Sequence, residues 1–198
     1  MISVALLSLV SLAQADESSW SSPAPGQFQI EAYSGFPWHG VKASYAPNSE
    51  VAVTGHIETA RFRRLEYRLG IQKPWSLSER WSVLTSLSVG GVNQWGAVPR
   101  QGAQVGAELT ISRSGRVEPY FSLHDRELFA IEAVETQSAE GDETTWSSTQ
   151  YYSRGGSLGV RVPLREQICL DIALQGGFVD SSFAIPSFKL GLSWRTDS

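Results

Sequence analysis

The sequence predicts an all-β protein: an antiparallel up-and-down β-barrel of about ten strands, with eight strands as the alternative. Three observations support this fold. Apolar residues recur at every second position from Gln27 onward, which is the period of a β-strand. The opposite face of the same segments carries small residues and charges of both signs. The tryptophans stand mostly at the ends of these segments or in the connections between them.

The first 26 residues precede the barrel. The apolar run Val4–Leu12 is followed by Ala13-Gln14-Ala15, a small-x-small pattern that predicts a signal peptide over residues 1–15 with cleavage after Ala15. No Lys or Arg precedes the run, and a buried N-terminal strand or helix is the alternative. Residues 16–26 are rich in Ser and Pro and predict a disordered leader. The barrel domain then covers residues 27–195.

Ten alternating segments follow along the chain. The seventh begins at Val117 and the eighth ends at Val162, with the most acidic part of the sequence between them. The connections mostly alternate between short and long, as they do in transmembrane barrels. Eight strands result if the first two short segments are not both part of the wall. The segments are Gln27–Ser34, Val41–Tyr45, Val51–Ile57, Arg63–Trp75, Trp81–Val89, Ala103–Ile111, Val117–Leu123, Leu158–Val162, Ile168–Leu174 and Phe188–Trp194.

The segment RRLEYRLGIQKPW (residues 63–75) raises the question of which face is inside. In a water-soluble barrel the apolar face forms the core, whereas in a membrane barrel it meets lipid and the polar face lines the lumen. Alternation alone does not distinguish the two. The apolar face holds Leu65, Tyr67, Leu69 and Ile71, and the polar face holds Arg64, Glu66, Arg68 and Gly70.

The polar face favours the membrane arrangement. Its many Gly and Ser residues suit a narrow, crowded lumen, and its mixed charges would pair into a network that plugs the interior, since unpaired buried charges are costly. The charges of this predicted network are Lys42, Glu58, Arg64, Glu66, Arg68, Glu108, Arg161, Asp171 and Lys189. Tryptophans at both edges of the apolar band would form interfacial girdles. These tryptophans are Trp38, Trp75, Trp81, Trp95, Trp146 and Trp194.

With these features, the chain resembles the small outer-membrane β-barrels of Gram-negative bacteria over residues 27–195. The C-terminal segment SFKLGLSWR (187–195) alternates like the last strand of that family, which usually ends in an aromatic residue. Here Trp194 is followed by four more residues. The resemblance implies an outer-membrane location, contact with outer-membrane lipid, and recognition of the last strand by the outer-membrane insertion machinery.

Catalysis and ligand binding have weak signals in the sequence. Ser122 and His124 share one strand face but lie about 7 Å apart along a strand, too far for the direct hydrogen bond of a nucleophile and its base. His56 lies near Glu58 on the polar face, and Cys169 is a lone cysteine. We therefore predict no catalytic site, no metal and no cofactor. The net charge of −4 gives no indication of a nucleic-acid partner.

The acidic stretch from Glu132 to Thr145 is the candidate interaction loop, because it contains no basic residue and connects two strands that extend beyond the bilayer. Its acidic residues are Glu132, Glu135, Glu140, Asp142 and Glu143. The leading functional hypothesis is a non-enzymatic outer-membrane barrel with a narrow, charge-plugged lumen that acts structurally or through its outside loops. The alternatives are a secreted or periplasmic lipocalin-like barrel with an apolar ligand, and an outer-membrane barrel enzyme acting on lipid.

Overall fold

The computed structural model describes residues 20–35, 38–60, 63–95, 100–138, 141–179 and 182–196. The predicted signal peptide and residues 16–19 lie outside the described residues. No helix within the described ranges is long and apolar enough to cross a bilayer. The strands are β1 Phe28–Gly35, β2 Trp38–Tyr45, β3 Ala52–Ala60, β4 Arg64–Ser76, β5 Trp81–Gln94, β6 Arg100–Arg113, β7 Glu118–Ser138, β8 Gly141–Arg165, β9 Ile168–Val179 and β10 Ser182–Arg195.

Each strand pairs antiparallel with its neighbours in the chain, and β1 pairs with β10 to close the barrel. Gln29 of β1 lies opposite Arg195 of β10, so the first and last strands meet at the chain ends. Closure gives every strand a partner on both sides within the shared wall of the barrel. The prediction of an antiparallel up-and-down barrel is confirmed, with ten strands rather than eight.

The two ends of the barrel differ. One end, the turn end, carries the connections 46–51, 77–80, 114–117 and 166–167, together with the start of β1 and the end of β10. At the opposite end, the loop end, β7 and β8 are the longest strands, with 21 and 25 residues. Beyond Glu132 and Ser153 these two strands pair only with each other, up to Ser138 opposite Gly141. This protruding hairpin takes in most of the predicted interaction loop.

The alternation in β4 separates an outer from an inner surface. Leu69 is 68% exposed, whereas Glu66 and Arg68 are 3% and 6% exposed. The other strands repeat this arrangement, so that large apolar side chains cover the outside and polar side chains fill the inside. Soluble proteins do not normally expose a continuous apolar surface of this kind. Exposed members of this surface include Val41, Val53, Ile57, Leu87, Val89, Leu123, Leu158, Leu174, Phe188 and Leu192.

Candidate functional site in the barrel lumen

The interior of the barrel brings together the charges that the alternation predicts there. All nine residues of the predicted network lie on strands with their polar face inward, and seven of them form ion pairs. The other two are Lys42 and Glu108. Neither forms an ion pair, or a hydrogen bond to a charged group, with a described residue.

A central cluster occupies the lumen beside β3 and β4. The carboxylate of Glu58 accepts from Arg68 at 3.0 Å and from Arg126 at 3.2 Å. Glu66 pairs with Arg64 at 2.6 Å and lies 3.8 Å from Arg68. Two carboxylates thus face three guanidinium groups. Arg126, from the segment HDRE, was not among the predicted lumen charges, although its alternation with His124 places it on the inner face.

Tyr33 closes one side of the central cluster. Its hydroxyl donates to Glu58 Oε2 at 2.5 Å and contacts His56 Nε2 at 2.5 Å. The ring crosses over Gly40, where an added Cβ would lie 2.6 Å from Tyr33 Oη. Arg68 contacts the other ring nitrogen of His56. Glycine is therefore required at position 40 so that the tyrosine can lie flat against the wall.

A second group, the turn-end cluster, lies nearer the turn end. Glu118 is 1% exposed and pairs with Arg161 at 2.6 Å. Lys189 lies 2.5 Å from Glu31 and 3.1 Å from Asp171. Glu31 and Glu118 were missing from the predicted network. Glu31 stands between Ile30 and Ala32 in an alternating strand, so its inward position was readable from that pattern.

Part of the predicted disordered leader packs into the turn end of the lumen. The backbone N–H of Trp20 donates to Glu118 Oε2 at 2.8 Å, and the Ser21 hydroxyl donates to the same carboxylate at 2.7 Å. Arg195 lies over the Trp20 ring at 4.1 Å and donates to the Ser22 carbonyl at 3.0 Å. Trp20 is only 5% exposed. Residues 20–22 therefore have fixed partners from four distant strands, β6 included through Ser112.

The two clusters leave a polar cavity of about 500 Å³ in the lumen. Its wall includes Arg126 from the central cluster, Arg161 and Lys189 from the turn-end cluster, and the unpaired Lys42 and Glu108. The predicted network therefore does not fill the whole interior. Small residues of β5 and β6 account for part of this space, namely Ser86, Ser88, Gly106 and Ala107.

Five of the six predicted girdle tryptophans lie outside the lumen. Trp81 and Trp194 are exposed at the turn end. Trp75 lies near them on the outer face, and the ammonium of Lys73 lies 4.3 Å from the centre of its ring. Trp95 and Trp146 are exposed towards the loop end, at 54% and 65%. This distribution places indole rings near both ends of the apolar band.

Trp38 corrects the girdle prediction. It shares the inward face of β2 with Gly40 and Lys42, lines the lumen cavity, and has the guanidinium of Arg64 5.6 Å from its ring centre. The physical reason is register: β2 begins at Trp38 itself, so the residue belongs to the strand wall and follows its alternation. The sequence pattern placed Trp38 in a connection instead.

Ser122 and His124, the residues considered for catalysis, are not in hydrogen-bond contact. The Ser122 hydroxyl is hydrogen-bonded to the Ser157 hydroxyl at 2.6 Å, and no hydrogen bond joins it to His124 among the described residues. His56 contacts Tyr33 and Arg68, as described above. Within the described ranges, no three His, Cys, Asp or Glu side chains are placed to hold a metal ion. Cys169 is buried.

The acidic residues of the predicted interaction loop are divided by the structure. Glu132 lies on the inner face near the loop end, where it pairs with Arg100 and accepts from the Tyr151 hydroxyl. Glu132 therefore faces the lumen at the base of the protruding hairpin. The side chains of Glu135, Glu140, Asp142 and Glu143 lie outside the described residues.

Comparisons with known proteins return similarity in structure only. No protein-family model matches the chain, and a search of curated proteins finds no match. The N-terminal β-barrel domain of Pseudomonas aeruginosa OprF is similar, with 13% identity over 87% of this chain and 98% of that chain and a TM-score of 0.39. Ail, the attachment invasion locus protein of Yersinia pestis, has 12% identity over 87% and 99%, with a TM-score of 0.40.

Neisserial surface protein A is also similar, with 13% identity over 87% of this chain and 96% of that chain and a TM-score of 0.37. The OprF fragment is a β-barrel domain, and Ail is an outer membrane protein of Yersinia pestis. The present chain is, by its own strand pairing, a closed antiparallel barrel of ten strands.

Proposed function

We propose that this protein is a non-enzymatic, integral outer-membrane β-barrel whose lumen is closed to ions and whose loop end serves a structural or surface-interaction role. The observation that carries the proposal is the inversion of surface and interior. Leucines such as Leu69 and Leu158 are more than 60% exposed, while Glu58, Glu66 and Arg68 are less than 7% exposed. A hydrocarbon environment stabilises that arrangement, and water does not.

The outer location is supported by the same surface together with the predicted signal peptide. A closed barrel satisfies its backbone hydrogen bonds without water, so it can span a bilayer. Exported bacterial barrels with an apolar belt of this kind span the outer membrane. Fractionation of cells tests this part directly. We expect the protein in the outer-membrane fraction with heat-modifiable gel mobility, and recovery in the soluble fraction without detergent would contradict it.

The closed lumen is supported by the leader segment at the turn end. Hydrogen bonds with Glu118 and Arg195 hold Trp20, Ser21 and Ser22 across that end. The ion pairs of the central cluster occupy part of the lumen beside β3 and β4 but leave a cavity next to them. We infer that hydrated ions do not cross this barrel at an appreciable rate.

Removing the leader contacts should open the turn end. We expect a variant lacking residues 20–22 to conduct ions in planar bilayers, because Glu118, Arg161 and Arg195 would lose the segment that covers them. The unmodified chain should show no stable conductance step. Trp81→Ala is the matched control, since it removes an indole from the outer face of the same end. Open steps in the unmodified chain would contradict the closed lumen.

The absence of catalysis is supported by the separation of Ser122 from His124. A nucleophilic serine needs a base within hydrogen-bond reach, and the Ser122 hydroxyl is instead engaged by Ser157. We expect the purified protein in phospholipid vesicles to release no fatty acid or lysophospholipid above the level of vesicles alone. Hydrolysis that disappears in both Ser122→Ala and His124→Ala would establish the enzyme alternative.

The interaction role rests on the protruding hairpin. β7 and β8 continue past the neighbouring strands, and Trp146 is 65% exposed on the outer face of this projection. Phe129 and Ile131 are 48% and 52% exposed on β7 at its base, where β7 still pairs with β6. The charged residues Asp125 and Arg154 lie below them on the same face and pair at 3.3 Å. Rigid scaffolds commonly carry their binding surfaces on such projections.

A further inference from the structure

The lumen cavity contains charges that the barrel itself leaves without partners. It is about 500 Å³ in volume, within the range of pockets that hold small molecules. Most charged groups in its wall are already engaged. Lys189 pairs with Glu31 and Asp171, while Arg126 pairs with Glu58.

Lys42 and Glu108 are the exceptions among the described residues of this wall. Lys42 has Glu31 as its register neighbour on β1, but that carboxylate lies 2.5 Å from Lys189 instead. Glu108 is exposed to the cavity and accepts only a long hydrogen bond of 3.4 Å from Thr110. Lys42 and Glu108 form no ion pair with each other, so an ammonium and a carboxylate both face the cavity without a charged partner from the described barrel.

The cavity therefore presents two kinds of group on different parts of its wall. β6 offers an acceptor, the Glu108 carboxylate, and β2 offers a donor, the Lys42 ammonium. A simple anion would satisfy Lys42 and leave Glu108 unpaired, and a simple cation would do the reverse. A molecule with both an ammonium and a carboxylate group satisfies both sides with charge-assisted hydrogen bonds.

We propose that the lumen cavity is a binding site for a small zwitterion of the amino-acid class. Its ammonium group binds Glu108, and its carboxylate group binds Lys42. Binding at this site does not require the lumen to be closed to ions. Conductance therefore tests the closed lumen, and ligand titration tests the binding site.

Calorimetric titration of the full chain, refolded in detergent micelles, tests the proposal with the series glycine, β-alanine, 4-aminobutyrate and 6-aminohexanoate. Butyrate and butylammonium are the singly charged controls. We expect saturable binding of at least one member of the series at millimolar concentration and a much weaker heat from either control. Binding of no zwitterion, or equal binding of butyrate or butylammonium, would overturn the proposal.

Variants then locate the site. Lys42→Met and Glu108→Gln should each weaken zwitterion binding by about tenfold or more, as expected for the loss of a charge-assisted hydrogen bond. Lys73→Met and Glu127→Gln remove the same charges from the outer face and should leave binding unchanged. Unchanged binding in both lumen variants would place the ligand elsewhere and contradict the assignment.

A double variant with the two charges exchanged distinguishes loss of the binding site from loss of the fold. The double variant Lys42→Glu/Glu108→Lys keeps both charges in the cavity, and a zwitterion can bind it in the reverse orientation. We expect it to bind within a few-fold of the unmodified chain and to show the same heat-modifiable gel mobility. A correctly folded double variant with no binding would count against the pairing of ligand charges with these two residues.

Discussion

A Leu69→Arg variant is expected to fold into phospholipid vesicles with its free energy of unfolding lowered by about 2–4 kcal/mol, the cost of a cation on the lipid face near the bilayer middle. Leu69 lies on β4 between Tyr67 and Ile71 and is the most exposed of the three. The measurement is a urea titration of the folded fraction in vesicles. A large loss of stability at a position that is 68% exposed requires that its surroundings are hydrocarbon.

Leu77→Arg is the matched control for this prediction. Leu77 is 56% exposed but lies in the connection between β4 and β5, outside the strands. The same chemical change there should alter the unfolding free energy by about 0–1 kcal/mol, as near the membrane interface. Equal, small effects at both positions would mean that β4 faces water and would favour the soluble-barrel alternative.

A Glu58→Gln variant should lose about 3 kcal/mol of stability, because removal of one partner from a buried ion cluster leaves uncompensated charge. Glu58 accepts from Arg68 and Arg126, and Glu66 is the second carboxylate facing these guanidinium groups. The variant would leave one carboxylate facing three guanidinium groups. The same vesicle titration measures the effect.

Glu50→Gln provides the comparison for a charge outside the lumen and outside the strands. Glu50 is exposed in the connection 46–51 at the turn end. Substitutions at exposed surface positions change stability by about 0–0.5 kcal/mol, so this variant should stay close to the unmodified chain. A Glu58→Gln variant as stable as Glu50→Gln would show that water in the lumen already screens the central cluster.

The wall of the barrel was predictable because a strand has a strict period of two. Once the polar face was taken as internal, the positions of Glu66 and Arg68 followed, and the structure encloses both. The same rule was sufficient to place Glu31 and Arg126, which sequence reasoning left out. The number of strands was also recoverable, since each alternating segment corresponds to one strand.

The contacts of the leader were not predictable from local pattern. Its Ser and Pro content predicts disorder, yet Trp20 is held by Glu118, 98 positions away, and by Arg195. Such contacts depend on where the barrel brings its turn end together. The same limit applies within the lumen: alternation places Lys42 and Glu108 inside but does not tell which acid meets which base.

Orientation of side chains in the wall is the most direct test of the central claim, that the apolar face of this barrel meets lipid. Nitroxide labels on single cysteines at positions 87, 88 and 89 of β5, in a Cys169→Ser background, would be measured in vesicles for collision with oxygen and with a water-soluble nickel chelate. We expect labels at Leu87 and Val89 to collide with oxygen, which concentrates in lipid, and the label at Ser88 to collide far less with it. The reverse pattern, with positions 87 and 89 shielded from oxygen and position 88 open to water, would contradict the account.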